Sequence, residues 1–305
     1  MIIQYVNSKG VHFDLECDSI CISNGNFHRH EWKVDAEALR VGERVKKFKK
    51  EPVVYDITLK LRGDLSERKA LLDDLHDAAE YDIFAKTPGK IYFGDFHIGC
   101  YILASDTHKA SDLSCRTEKD ISIYCPYPFW IKEETYYIPP IDIEGEWELL
   151  EVPASLPNTN FTDCHYRLRA YGPFSSQWVG LNKLFFYIND NQVQVDYTCK
   201  NEYIELDTRD ETIVLVDAAT GSRTNIYHLQ NFNLDTFKKI PPGENVLKYD
   251  RSYAIEITLF HERSEPKWNE NAPDTHFFIT TEDGRPIMTE DGYYIVGAHQ
   301  KGGAT

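Results

Sequence analysis

Between Val53 and Arg62 apolar and polar residues alternate, with Val53, Tyr55, Ile57, Leu59 and Leu61 on one face and Asp56, Thr58, Lys60 and Arg62 on the other. A period of two is that of a half-buried strand. The period then lengthens. Asp64 with Glu67 three residues on has the form of a capping box, and Leu71, Leu75, Ala78 and Ala79 make an i, i+4, i+7, i+8 stripe. This spacing predicts one amphipathic helix over about 64–81, its leucine stripe on a sheet and Asp73, Asp74, Asp77 and Glu80 on a solvated face. Thr87-Pro88-Gly89-Lys90 offers proline and glycine for the centre of a type II turn that leads into strand-like Ile91 to Phe93. Further strands are expected at Cys100 to Ser105 and Ile121 to Cys125. Pro126 and Pro128 stop the last of these, because proline has no N–H for a ladder and restricts the residue before it, and a domain is expected to end there.

Past this point no helical period recurs. Prolines, acidic residues and Gly145 punctuate 139–157, which reads as a domain junction. Short β-rich runs follow at Phe161 to Tyr171, Leu184 to Ile188, Gln192 to Tyr197, Glu202 to Asp207, Thr212 to Val216 and Tyr253 to Leu259, separated by turn signals such as Asn189-Asp190-Asn191 and Ala219-Thr220-Gly221. Pro241-Pro242-Gly243-Glu244-Asn245 is another tight turn, placing Gly243 where positive φ is wanted and launching a strand from Val246 to Tyr249. Strands at this spacing predict an antiparallel sandwich. In the last segment Thr281-Glu282-Asp283-Gly284 recurs as Thr289-Glu290-Asp291-Gly292, with Asp-Gly turns between short strand-like pieces. Two copies are too few for a solenoid, so 269–305 reads as an extension that packs on its own protein, adds a strand to a neighbour's edge or stays partly flexible.

Composition narrows the function. A chain of 305 residues is long enough for about two domains, and 19 Tyr with 16 Phe favour strands. The net charge of −16 would repel a phosphate backbone, which argues against bulk nucleic-acid binding. One basic run stands against that trend: Arg40, Arg44, Lys46, Lys47, Lys49 and Lys50, with Phe48 alone among them as a stacking aromatic. It reads as a solvated loop or hairpin or, more sharply, as a contact with an acidic neighbouring subunit. Seven irregularly spaced cysteines do not make a secreted disulfide framework and fit reduced thiols in a protein assembled in the cytoplasm. No signal peptide is visible at the first residues, and no apolar run approaches the roughly 18 residues of a membrane span.

Catalytic and metal chemistry find little support. Cys17 and Cys21 upstream of His28 and His30 are the nearest approach to a metal cluster, but a structural zinc site has tighter paired spacing. Neither a nucleophile elbow nor a zinc-protease helix nor a phosphate-binding loop is present, and His261-Glu262-Arg263 has no second histidine one turn on. No catalytic, cofactor-binding or metal residue is assigned, and no cofactor is expected. Trp130, Trp147, Trp178 and Trp268 have the rings to stack on sugars, yet a sandwich also needs large aromatics for its core, which is the favoured reading.

Four stretches carry a resemblance. Asp120 to Trp130 (DISIYCPYPFW), Pro88 to Asp95 (PGKIYFGD), Pro241 to Tyr249 (PPGENVLKY) and His261 to Trp268 (HERSEPKW) resemble the distal tail protein (Dit) family of tailed bacteriophages, over roughly Val53 to Trp268. The resemblance implies a mostly β (α+β) fold. Residues 1–138 would form a ring-forming domain, a split β-barrel or sheet with one α-helix that about 260–268 completes, and 158–259 a galectin-like antiparallel β-sandwich. Two departures stand out: the segment before Val53 is more charged than the family's first strands, and 269–305 runs past the usual ending.

The function implied is geometric. Six copies would close into a ring, two rings would stack, and the sandwiches would project as docking platforms. The tail tube would bind on one side and a tail-associated lysin, fibre or receptor-binding protein on the other. The place would be the virion tail tip or baseplate, assembled in the host cytoplasm, with no membrane partner. DNA would pass a channel without specific binding, the acidic charge keeping it from sticking. Two rival readings are a carbohydrate-binding receptor protein and a tail-associated hydrolase. The galactose-holding cluster of true galectins is missing, so sugar binding does not follow from the fold.

Overall fold

The structure, a computed structural model, describes residues 3–108, 117–140, 152–171, 183–197, 202–249 and 253–267. The repeat-bearing extension and Trp147, Trp178 and Trp268 lie outside the described residues. In chain order the elements are β1 (Ile3–Val6), β2 (His12–Asp14), β3 (Ile20–Asn24), β4 (Lys33–Ala38), β5 (Glu43–Lys49), β6 (Val53–Leu61), helix α1 (Leu65–Ala85), β7 (Gly89–Phe93), β8 (Phe96–His108), β9 (Thr117–Cys125), β10 (Trp130–Ile138), β11 (Val152–Ser155), β12 (His165–Tyr171), β13 (Leu184–Ile188), β14 (Asn191–Val195), β15 (Glu202–Asp207), β16 (Thr212–Asp217), β17 (Arg223–Asn225), β18 (Val246–Tyr249) and β19 (Ala254–Arg263), with one 3-10 turn at Tyr227–Leu229. The fold is mostly β with one long helix, as the periodicity predicts.

The first core lies among β3, β6, β9 and β8 on one side and β7, β1 and β2 on the other, all paired antiparallel, with α1 laid against it. β6 buries Tyr55, Ile57, Leu59 and Leu61, the expected face of its alternation. The capping box forms: the Asp64 side chain accepts from the Glu67 N–H at 2.8 Å while Glu67 reaches back to the Asp64 N–H. Leu75, Ala78 and Ala79 are buried, and Leu71 is partly buried against the same core.

Two local expectations are corrected. The helix runs to Ala85, about one turn past the expected end, and stops where Lys86 enters the left-handed region (φ 54°). That extra turn carries Asp82, wholly buried, whose carboxylate accepts from the Tyr5 hydroxyl at 2.6 Å, the Ser8 N–H at 2.8 Å and the Ser8 hydroxyl at 2.6 Å. A buried polar group with these partners was invisible to a search for apolar stripes. Gly89 opens β7 in ordinary extended backbone and is not the positive-φ residue of a type II turn. Its lack of a side chain answers a close approach: a Cβ there would meet the Asp82 carboxylate, Tyr5 Cε2 at 2.8 Å and the Val6 carbonyl at 2.9 Å. At Gly243 the expectation of positive φ holds, at +99°.

The second core lies between two sheets. One runs β17-β16-β15-β12-β19-β10 and the other β11-β18-β13-β14, and their facing residues, such as Leu168, Ile204 and Ile257 against Phe186, Val193 and Leu247, are fully buried. This is an antiparallel β-sandwich. β11 falls within 139–157 and pairs with β18, so the described part of that stretch contributes to the sandwich. β10, whose WIKEETYYI carries too much charge to show as a strand, joins the two cores. It pairs with β19 over nine residues, from Trp130↔Arg263 to Ile138↔Ile255, and with β8 at Ile131↔His97 and Lys132↔Phe96. Trp130 lies in the first core and Ile138 in the second.

Candidate interaction surfaces

β4 and β5 form a two-stranded sheet paired with no other strand among the described residues, an arm projecting from the first core. Its register explains its chemistry. Val34 faces Phe48 and Ala36 faces Val45, with a bulge after Asp35. Val45 and Phe48 are three apart and would lie on opposite faces of a regular strand; the extra residue turns both to the face of Val34 and Ala36. One face of the arm is thereby apolar, and Val34, Val45 and Phe48 stand exposed on it, as do Leu39 and Val41 at the tip. The flanking side chains are charged, with Lys46 paired to Glu37 at 3.0 Å and Lys49 to Asp35 at 3.8 Å. Seven basic and three acidic residues between Lys33 and Lys50 leave a local excess of four positive charges in a chain of net −16. The basic run is therefore a solvated hairpin, and an amphipathic one.

The motif residues meet at the root of this arm. The Lys50 ammonium donates to the carbonyls of Pro128 and Ser264 and lies 4.5 Å from the Phe129 ring centre and 5.8 Å from that of Trp32. Burial pulls its pKa down to about 8, against the opposing pull of Glu265. The Tyr127 hydroxyl donates to Glu262 at 2.6 Å, and His30 Nδ1 lies 2.6 Å from Glu265. Behind them the Trp130 N–H donates to the Tyr55 hydroxyl at 3.2 Å, deep in the first core, where burial raises the tyrosine pKa to about 12. Strand end (Tyr127 to Trp130), final segment (Glu262 to Glu265) and arm root (Trp32, Lys50) thus form one fastening. Prolines at 126 and 128 serve it by ending β9 and freeing the Pro128 carbonyl.

The expected metal candidates do not converge. Cys17 Sγ lies 3.6 Å from the Asp14 carbonyl, the His28 ring packs edge-on to Phe93 at 5.0 Å, and His30 is at the arm root. No group of three potential ligands is found among the described residues. The stretch holding His28 and His30 is not a strand. Trp130 is core, as favoured for it, and presents no ring to a sugar.

One constellation escaped the sequence. Cys164 Sγ lies 3.5 Å from His261 Nδ1, and His261 Nε2 lies 2.8 Å from Glu134 Oε2, in the order of a nucleophile, a base and its orienting acid. The residues are 30 to 127 positions apart along the chain, so no local motif could reveal them. The chemistry fails on burial: Cys164 is 1% exposed, and burial raises its thiol to about 11. With Asn158 Oδ1 at 3.0 Å as a further acceptor, the thiol completes a buried hydrogen-bond network instead.

No protein-family profile matches the sequence, and no curated protein matches it. Among solved structures, the Dit protein of phage SPP1, described as a paradigm of hub adsorption apparatus in Gram-positive infecting phages, matches with a TM-score of 0.56 at 12% identity, over 86% of this chain and 100% of that one. A chain of the phage P2 baseplate in its activated conformation with Ca matches at TM-score 0.57 and 9% identity, over 87% of this chain and 100% of that one. Its counterpart with Sr gives 0.57 and 10%, over 87% and 99%. The resemblance read from the motifs therefore holds at the level of architecture: the first sheets with their helix, the joining ribbon and the sandwich together have the fold of the phage distal tail and baseplate chains.

Proposed function

We propose that this chain is the distal tail protein of a tailed bacteriophage or a prophage-derived particle, a structural hub and not an enzyme. The observation that carries the reading is the extent of the fold likeness, which covers the whole of the SPP1 Dit chain and leaves no part of it without a counterpart. Six copies close into a ring through residues 1–138, completed by the end of β19. The galectin-like sandwich projects outward as a platform for a tail-associated lysin, fibre or receptor-binding protein, and the ring meets the tail tube. One repeated heterologous contact makes a ring when its rotation closes. The exposed apolar face of the arm supports such a contact, because a monomer gains nothing by leaving it in water. No helix among the described residues is long and apolar enough to cross a membrane.

The test is the mass of the purified full chain at micromolar concentration by light scattering, with negative-stain images of the same fraction. Rings of about six subunits, single or doubled, are expected. A strictly monomeric chain at the highest soluble concentration would sink the self-assembling hub.

A further inference from the structure

The outward side of α1 carries a second surface that no described element covers, with Glu80 paired there only to His76 of the same helix at 3.4 Å. Asp73, Asp77, Glu80 and Phe84 stand at i, i+4, i+7 and i+11, one stripe along the helix opposite its buried face. All four are exposed, and Phe84, at 80%, is the most exposed residue of its size on the helix. Beside the stripe runs a groove of about 120 Å³ between α1 and the β8–β9 pair, apolar at Leu75, Ala79, Ile83, Leu103 and Ile121 and polar at His76, Glu80, Ser105 and Lys119; Ile83 and Leu103 are exposed at its rim. An acidic stripe that ends in an outward phenylalanine beside a groove with an apolar rim is the complement of a basic ribbon with an apolar face.

We propose that the arm of one copy docks along α1 of the next, with Val34, Val45 and Phe48 covering Phe84, Ile83 and Leu103 and the arm's excess positive charge lying over Asp73, Asp77 and Glu80. The inference rests on the ring reading and names the two surfaces that close it. Lengths agree: the helix rises about 16 Å from Asp73 to Phe84, and β5 spans about 17 Å from Arg44 to Lys49. Charge selects a second copy as the occupant, since the body that carries the arm is itself strongly acidic. The arm and the stripe are different patches, so the contact is head-to-tail and propagates around a ring.

Two full-length variants test it, Lys46→Glu with Lys47→Glu in the arm and Asp73→Lys with Asp77→Lys on the helix. All four positions are exposed, so the monomer fold is expected to persist, checked by an unchanged circular dichroism melt. Each variant alone should need at least about tenfold more protein for half-assembly in sedimentation velocity. An equimolar mixture should recover assembly in part, because the unaltered basic arm of one variant then meets the unaltered acidic helix of the other, while the substituted arm, its positive excess reduced to zero, no longer depends on an acidic stripe. Variants that assemble like the parent, or a mixture that stays as weak as its components, would overturn the arm–helix contact while leaving the ring intact. A parent chain that never assembles would remove the ring reading, and this contact with it.

Discussion

In the hairpin β13–β14, residues face one another in five pairs, and alternate side chains are buried: Leu184, Phe186, Val193 and Val195 are 0% exposed and Ile188 5%. The arm β4–β5 has antiparallel pairing of the same kind, yet Val34, Val45 and Phe48 are 53, 48 and 58% exposed. Alternation says that a strand has an apolar side; it does not say which surface that side meets. For β13–β14 the surface is the opposite sheet of the sandwich. For β4–β5 no described element of the chain supplies it, and a two-stranded hairpin alone in water is marginal. The root fastening of Lys50, Trp32 and Phe129 holds the arm's base in place, which leaves its apolar face for another molecule.

Core truncation tests the widest part of this contrast. Phe186→Ala removes a fully buried ring between the two sheets and is expected to cost about 3–5 kcal/mol in urea unfolding. A cost under about 1 kcal/mol would mean that the sandwich hairpin is no better packed than the arm. The joint between the cores should respond to acid next most strongly. His97 on β8 is buried, with its Nε2 3.5 Å from Glu133, Lys90 bonded to the same carboxylate and Tyr92 against its ring; Arg209 adds further positive charge. Burial, then Lys90, lowers its pKa to about 4, against the pull of Glu133. Between pH 6.5 and 4 the unfolded chain takes up a proton that the folded chain refuses, so this contribution is complete above pH 6.5 and is lost as pH falls, up to about 3 kcal/mol. His97→Gln should flatten stability against pH in that window, and an unchanged slope would assign the acid loss elsewhere.

Gly89→Ala comes next, at about 1–3 kcal/mol, because the new methyl must displace Tyr5 or the Asp82 carboxylate from a filled space. A neutral result would show that the end of α1 can shift, and that the first core is looser than the second. The position also shows what the sequence could and could not reveal. A Pro-Gly pair marks a break, and the break is there, but whether glycine answers φ or proximity depends on Tyr5 and Asp82, which arrive from elsewhere in the chain. β6, the capping box, β13, β15 and β18 were legible because their periodicity or caps are local. β1 to β3 and β10 were not, since short or charged strands leave no period to find, and β4–β5 showed only as a basic run that could be a loop or a hairpin. The arm root was half legible: its motif residues could be singled out, while their joint purpose required Lys50 and His30, which the sequence offered only as part of a basic run and as a weak metal candidate.

The smallest effect is the most discriminating. Phe48→Ala takes a large ring from a site that is already wet, so at concentrations where the chain is monomeric its unfolding free energy should move by less than about 0.5 kcal/mol. The same change made at Phe186 is several times more costly, although both rings project from hairpin strands. If Phe48→Ala instead destabilises the monomer by a kilocalorie or more, the arm's apolar face is covered within the same chain and is not available to a neighbour. If the monomer is indifferent and assembly weakens, the ring's burial is realised only between copies. That would be a hydrophobic position selected for a quaternary environment, which no inspection of one chain's core would identify.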